Sequence, residues 1–330
     1  MAVPCDRHSA VDYKEGSPVG SPSHGGHTDD VKAIVFLNPT AGALFVRKAA
    51  RDVGRVQRTF DAAGIEAEVS LIEGEDLEPA VRHAARRPVD MLVVGGGDGS
   101  VSSAAAALLD TAMPLGVLPF GTLNHFARDM GVPFHLDAAV SLLAAGHMRA
   151  VDVAEVNGLA FINNSMIGSY PALVDEREAH RRQRHIAKYR AGAHALARVV
   201  RHLPALTAGL SAGDTSTTLT TSLLMVGNNR YATGVLGFGR RRSLDGGELS
   251  VYAACGGRRR DAVRSLTRIV LGRPEADNAF QATTLTDLTV AIEADSVKIS
   301  VDGEIRHLRS PLRYTIRPRA LRVIGPSPSS

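Results

Sequence analysis

The sequence predicts an α/β protein, with an N-terminal doubly wound domain followed by a mostly antiparallel, β-sandwich-like domain. Three observations predict it. Apolar, strand-like runs alternate with helical runs up to about residue 150, and three of the strand-like runs end in turns at Asn38, Gly95 and Phe120. From Val151 the texture changes to short runs rich in Val, Ile, Leu and Thr with frequent glycine.

Residues 1–30 are rich in Gly, Ser, Pro, His and Asp with almost no apolar periodicity, and read as a disordered leader. "VKAIVFLNPTAG" is a buried-type strand ended by Asn38-Pro39. "ALFVRKAARDVGRVQRTFDAAG" has helical spacing and closes at Gly64, after which "IEAEVSLI" alternates as a second strand. "DLEPAVRHAARR" makes the next helix, "VDMLVVGGGDGS" a strand and turn, Val101–Leu109 a further helix, and "PLGVLPFGT" a strand. Strands alternating with helices of this length give right-handed βαβ units and a parallel sheet over residues 31–150. In such sheets ligands sit at the carboxyl ends of strands, where all three turns fall.

Beyond that point, "VDVAEVNGLAFINNS", "STTLTTSLLMVGNN", "GELSVYAAC", "TLTDLTVAIEA", "SVKISVDGEI" and "LRYTIRP" give a β-rich domain over 151–318. Asn157-Gly158 and Asp302-Gly303 punctuate it as in antiparallel hairpins. Basic, helical insertions interrupt it at about 174–204 and 258–272. The last segment, 319–330, holds "ALRVIGP", a terminal strand that can return to the first domain.

Composition narrows the classes of function. The chain has 330 residues, 44% hydrophobic and 22% charged, as an ordinary globular protein does. Its two cysteines, Cys5 and Cys255, lie too far apart to suggest a disulfide framework or a cysteine metal site, which suits a reducing compartment. No run of about 18 apolar residues is present, and the N-terminus lacks the apolar core of a signal peptide, so spanning and export are not expected. The leader carries a net −3, so the formal +4 of the chain becomes +7 on residues 31–330. Anionic partners are expected: phosphates, nucleic acid or an acidic membrane surface.

"VVGGGDGSVSSAAAALL" suggests a phosphate-binding turn, but not a dinucleotide one. Read from Gly95 or Gly97, the G-x-G-x-x-G pattern meets Ser100 or Ser102 where its third glycine should stand. The Walker pattern G-x-x-x-x-G-K-[ST] is absent. Gly97 and Gly99 let backbone amides approach phosphate, Ser100 and Thr122 offer hydroxyls, and the dipole of a helix starting near Val101 favours negative charge. Asp98 cannot itself meet a phosphate. It suits a bridging Mg²⁺ or hydrogen bonds that fix the loop.

"NPTAG" (38–42), "GGGDGS" (95–100), "LPFGTLNHFARDMGVP" (118–133), "VDVAEVNG" (151–158) and "VDGE" (301–304) resemble, in order and spacing, the bacterial lipid kinases of the diacylglycerol kinase catalytic-domain family. These are related to sphingosine and ceramide kinases. NAD kinases and phosphofructokinases also carry "GGDG[ST]"; "P-x-G-T-x-N-x-x-A-R" in register behind it is the more specific signal. The resemblance implies a nucleotide-binding first domain, with ATP held by Asn38, Pro39, Thr40, Ala41, Gly42, Gly96, Gly97, Gly99, Ser100, Thr122 and Asn124. It implies phosphorylation of a lipid hydroxyl, diacylglycerol-like or sphingoid-like.

For the proton acceptor the resemblance favours Glu304, with Asp302 a close competitor and Asp98 beside the metal, although "DGE" also makes an ordinary hairpin turn. Asn38 equally suits a helix cap, and Asp152 a solvated strand end. Metal ligands are expected at Asp98 and Asp152, and weakly at Asp245, where Gly246 and Ser250 replace the acids of a second magnesium site. Ser102-Ser103 stand where Asn-Glu is common, so one polar contact to nucleotide or metal is expected to be missing.

Residues 177–202 carry eight Arg or Lys against one acid with apolar residues at helical intervals, and residues 258–273 carry six arginines against Asp261. They read either as solvated faces or as basic helices that dock on an anionic membrane to reach a lipid substrate. Without an aromatic stacking platform, and with no Trp, a nucleic-acid partner is not expected. A cytoplasmic protein, peripheral at the inner face of the membrane, follows from this reading; homodimer formation stays open. A soluble kinase of the NAD kinase type and a nucleotide-binding regulator without turnover are the rival readings.

Overall fold

The computed structural model describes residues 31–41, 52–168, 206–231, 240–241, 243–255 and 280–327. The leader, Gly42 and the basic stretches at 177–202 and 258–273 lie outside them.

Strand β1 (Val31–Leu37), helix α1 (Val53–Ala62), β2 (Ile65–Leu71), α2 (Gly74–Ala84), β3 (Met91–Gly96), α3 (Asp98–Leu108) and β4 (Leu115–Pro119) alternate along the chain. The four strands are parallel in the order β2-β1-β3-β4, with Val35 beside both Val69 and Val93. All of β3 and β4 and most of β1 are buried, the near-continuous apolar runs of a parallel sheet covered on both faces. The chain goes from β1 outward to β2 and then back across to β3. The reversal therefore falls between β1 and β3, and the loops leaving those two strands flank a crevice at their carboxyl ends.

Helix α3 begins at Asp98, three residues before the start that the apolar pattern suggests. Gly97 takes an extended conformation as its N-cap, and Asp98 fills the first turn, where a carboxylate complements the helix dipole. Asp98, Gly99 and Ser100 are thus helical rather than loop residues.

Two short helices, α4 (His125–Met130) and α5 (Leu136–Ala145), lead into β5 (Met148–Val156), β6 (Leu159–Phe161) and β7 (Asn164–Gly168). There follow β8 (Leu206–Ala212), β9 (Thr215–Asn228), β10 (Leu249–Cys255), β11 (Phe280–Leu285), β12 (Asp287–Ile292), β13 (Ser296–Val301), β14 (Glu304–Arg309) and β15 (Leu312–Ile324). Pairings among β5 to β15 are antiparallel. Asn157-Gly158 and Asp302-Gly303 all have positive φ, between 47° and 87°, and close two-residue hairpins of the type their sequence predicts.

Strand β15 belongs to both halves. Its first part pairs with β12 and β5, with Leu312 and Tyr314 in the core of the antiparallel half; its last part places Leu321, Val323 and Ile324 in the α/β core. There Val323 pairs in parallel with Leu115 of β4. Between the two parts the register against β5 shifts, and Arg319 takes a φ of 51°. Replacing Leu321, 1% exposed, by alanine is expected to cost about 2–5 kcal/mol in urea unfolding. Both halves should unfold in one transition at a lower midpoint, since the strand is common to them.

Candidate active site

The turns after β1, β3 and β4 touch one another at the crevice. Asn38 N donates to Gly95 O at 2.8 Å and Phe120 N to Gly96 O at 3.0 Å. Asn38 closes its own turn by accepting from Thr40 N (2.9 Å) and Thr40 Oγ1 (2.7 Å), and its Nδ2 donates to Ser100 Oγ at 2.9 Å. Both Asn38 and Ser100 are buried. Pro39 and Ala41 complete this turn, with Ala41 N donating to Asn38 O. Asn38 therefore braces the first turn of α3; the start of the helix it was expected to cap lies outside the described residues.

Glycine is required where the turns meet. A Cβ on Gly96 would stand 2.5 Å from Ser100 Cβ, and one on Gly121 would stand 2.4 Å from Gly97 Cα. Asn124, in the left-handed conformation, uses its whole side-chain amide on the Gly-Thr turn: Oδ1 accepts from Gly121 N, and Nδ2 donates to Pro119 O and Gly121 O. It shapes the turn, and Thr122 is left exposed at its tip.

Asp98 Oδ1 accepts from Phe126 N at 3.1 Å, tying the start of α3 to α4. Among the described residues its other oxygen accepts no hydrogen bond. That oxygen fits magnesium, which commonly takes one or two carboxylates together with phosphate oxygens and water. No group of three or more His, Cys, Asp or Glu that could hold a metal occurs among the described residues. Beside Asp98, burial pushes the His125 imidazole below its usual 6.5, helped by Arg128 and Arg241 and opposed by Asp98 and Asp129.

The β13–β14 hairpin brings two carboxylates to α3 in different ways. Asp302 accepts four hydrogen bonds: from Ser102 Oγ (2.5 Å), Ile162 N (2.8 Å), Asn163 N (2.8 Å) and Asn164 N (3.0 Å). Burial pushes its carboxyl above the usual range, against the pull of those donors. All its acceptor positions are committed to holding the hairpin against α3 and the Ile162–Asn164 turn. Glu304 keeps one carboxylate oxygen uncommitted among the described residues. Its Oε1 comes within 3.1 Å of where a Cβ on Gly99 would stand, and its Oε2 accepts from Arg306 at 2.6 Å. Gly99, Ser102, Ser103, Leu159, Glu304 and Arg306 line a cleft there.

The other two expected metal ligands are not brought to this place. Asp152 is 1% exposed and accepts from Arg319 N (2.8 Å), Gly247 N (2.7 Å) and Asn229 Nδ2 (3.0 Å), so it is no solvated strand end. It pins the register shift of β15, with three of its acceptor positions taken by N–H groups. Asp245 is exposed and takes the Ser243 hydroxyl. Neither arrangement is a magnesium cage. Gly209–Gly213 spells G-x-S-x-G, but Ser211 lies within β8 and not on a strand-to-helix elbow.

Sequence reasoning misjudged one residue of this site and passed over another. Ser102 meets Asp302, so the position whose contact was expected to be missing makes one inside the protein. Arg241, part of a basic run, is buried against Asp129. Its only local signal is that run, which reads as surface. Replacing Gly121 by alanine is expected to force the β3 and β4 turns apart, costing about 1–3 kcal/mol in thermal unfolding. Nucleotide affinity, measured by titration calorimetry, should fall with it.

Residues 32–156 match the family model of the diacylglycerol kinase catalytic domain, and residues 166–325 that of the YegS C-terminal NAD kinase beta sandwich-like domain. The chain is 34% identical over 136 residues to a protein named "Diacylglycerol kinase" of Bacillus subtilis (strain 168), covering 40% of this chain and 44% of that protein. It is 36% identical over 112 residues to a protein named "Probable lipid kinase YegS-like" of Citrobacter koseri, covering 32% and 38%. The matched part spans less than half the length of these curated relatives. A crystal structure of a diacylglycerol kinase from Bacillus anthracis str. Sterne superposes with a TM-score of 0.67 at 19% identity, over 91% of this chain and 98% of that one. At that identity the likeness is one of fold. Both parts of the molecule are thereby placed: the chain carries a diacylglycerol kinase catalytic domain followed by a YegS C-terminal, NAD kinase-like β-sandwich domain.

Proposed function

We propose that this protein is a magnesium-assisted lipid kinase that transfers the γ-phosphate of ATP to a hydroxyl of a diacylglycerol-like or sphingoid-like lipid at a membrane surface. The observation that carries the reading is the meeting of Glu304 with the first turn of α3, within 3.1 Å of a Cβ position on Gly99. Phosphoryl transfer to an alcohol needs a phosphate held in place and an acceptor oxygen relieved of its proton. Helix α3 supports the first of these. Its first-turn N–H groups lack intrahelical acceptors and point out of the helix N-terminus, beside the close-packed backbones of Gly97 and Gly121.

Glu304 takes the proton of the acceptor hydroxyl as that oxygen bonds to the γ-phosphorus and the bond to the β–γ bridging oxygen breaks. ADP leaves with that bridging oxygen. Arg306 holds one oxygen of Glu304 and leaves the other toward α3. Asp98 is the carboxylate that would hold magnesium, which when bound neutralises charge on the phosphate oxygens. Two observations support the membrane as the place of action: the +7 charge of residues 31–330, and the basic stretches that lie outside the described residues. No helix among the described residues is long and apolar enough to cross a membrane.

Incubating the protein with labelled ATP and a total lipid extract is expected to yield a labelled, organic-soluble product that EDTA abolishes. E304Q should lower kcat by about 10²–10⁴-fold and leave nucleotide affinity in place. Label transferred only to a polar acceptor such as NAD would replace this reading by a soluble kinase, and nucleotide binding with no transfer by a regulator. Sedimentation should show the full chain bound to anionic vesicles and not to neutral ones, with binding weakening as salt rises.

A further inference from the structure

We propose that Arg241 is a positioning residue that fixes the Glu304 hairpin relative to the phosphate-binding turn, by gripping the Ile162–Asn164 turn from the side opposite Asp302. The inference rests on the lipid kinase reading for what the hairpin does, and on the structure for the linkage itself.

The Arg241 side chain is fully enclosed, and its partner Asp129 is 5% exposed. Nε donates to Asp129 Oδ2 at 2.6 Å, Nη2 to Asn163 Oδ1 at 3.2 Å, and Nη1 to Ile162 O and, at 3.4 Å, to Asn228 O. Its guanidinium carbon lies 5.9 Å from the centre of the Phe126 ring. One planar fork thus joins α4, the end of β9 and the turn between β6 and β7. Tyr231, whose backbone bridges to that of Arg241, adds a hydrogen bond from its hydroxyl to Asn163 O.

The same turn is held from its other side. The N–H groups of Ile162, Asn163 and Asn164 all point to Asp302, two residues before Glu304. A closed circuit results. Asp98 on α3 holds Phe126 N on α4, α4 holds Arg241 through Asp129, and Arg241 holds the turn. The turn holds Asp302, and Asp302 returns to α3 through Ser102, one helical turn after Asp98.

A buried ion pair is a poor device for stability alone, because desolvating two charges offsets much of their attraction. What it supplies is direction. Each donor of the guanidinium has a fixed angle, so α4 and the turn share one relative placement. Phosphoryl transfer depends on such placement, and a displacement of about 1 Å can cost about 10²-fold in rate.

R241K keeps the charge but cannot reach all these acceptors. In the unliganded protein, hydrogen exchange should quicken at the N–H groups of Phe126 and of Ile162, Asn163 and Asn164, whose acceptors are Asp98 and Asp302 and not Arg241. In turnover assays R241K should lose about 10–100-fold in kcat while nucleotide affinity holds. D129N, which keeps an acceptor for Nε, should give the same pattern more weakly. R317M, which breaks the separate contacts of Arg317 with Asp110 and Glu155, should leave kcat unchanged. Unchanged exchange at either site, or a kcat loss no larger than that of R317M, overturns the proposal. A wild-type protein with no turnover would remove the kinase reading, and the exchange pattern would still decide the linkage.

Discussion

The Asp302 carboxylate gathers one hydroxyl and three backbone N–H groups from segments far apart in the chain, and the arrangement of the cleft depends on it. Each of those donors is costly to leave unpaired away from water, by about 1–3 kcal/mol. Satisfying all four at once admits only one placement of the β13–β14 hairpin against α3. Glu304 inherits its position from that placement, because a two-residue turn with positive φ at both residues separates it from β13 and leaves it little freedom. The acid whose oxygens are all committed and the acid that keeps one oxygen uncommitted are thus neighbours with different environments.

A second constraint is the lack of side chains where the β3 and β4 turns abut. With Gly97 and Gly121 in backbone contact, two strand ends can approach closely and still expose peptide groups to a bound anion. Asn124 and Asn38 spend their amides on keeping these turns in shape. Polar side chains that look like ligand contacts in a motif can instead be the framework around backbone donors.

Much of this was legible from local patterns. The alternation of strand and helix gives the parallel sheet, Asn157-Gly158 and Asp302-Gly303 give their hairpins, and the turns at Asn38, Gly95 and Phe120 give the crevice. What was not legible depends on long crossovers. Ser102 and Asp302 are 200 residues apart, and no periodicity links them. Arg241 sits in "GRRRS", where the residue type predicts surface, yet it is enclosed because Asp129 and three backbone or amide oxygens meet it. Asp152 has the sequence setting of a strand-end acid, and becomes a buried acceptor only because β15 breaks register beside it. The early start of α3 shows the limit of apolar spacing as a guide to helix ends, which Gly97 and Asp98 decide here.

The double membership of β15 also bears on the order in which the molecule can be made. During synthesis the α/β half emerges first, but the edge of β4 that Val323 covers, and the length of β5 that pairs with residues 321–324, stay open until the last strand has left the ribosome. The half that emerges first is therefore the one that must wait, with unpaired strand edges and part of its core missing. A chain built this way ties completion of its nucleotide-side core to production of the hairpin that carries Glu304. A protein interrupted before β15 would have neither a closed sheet nor an assembled cleft.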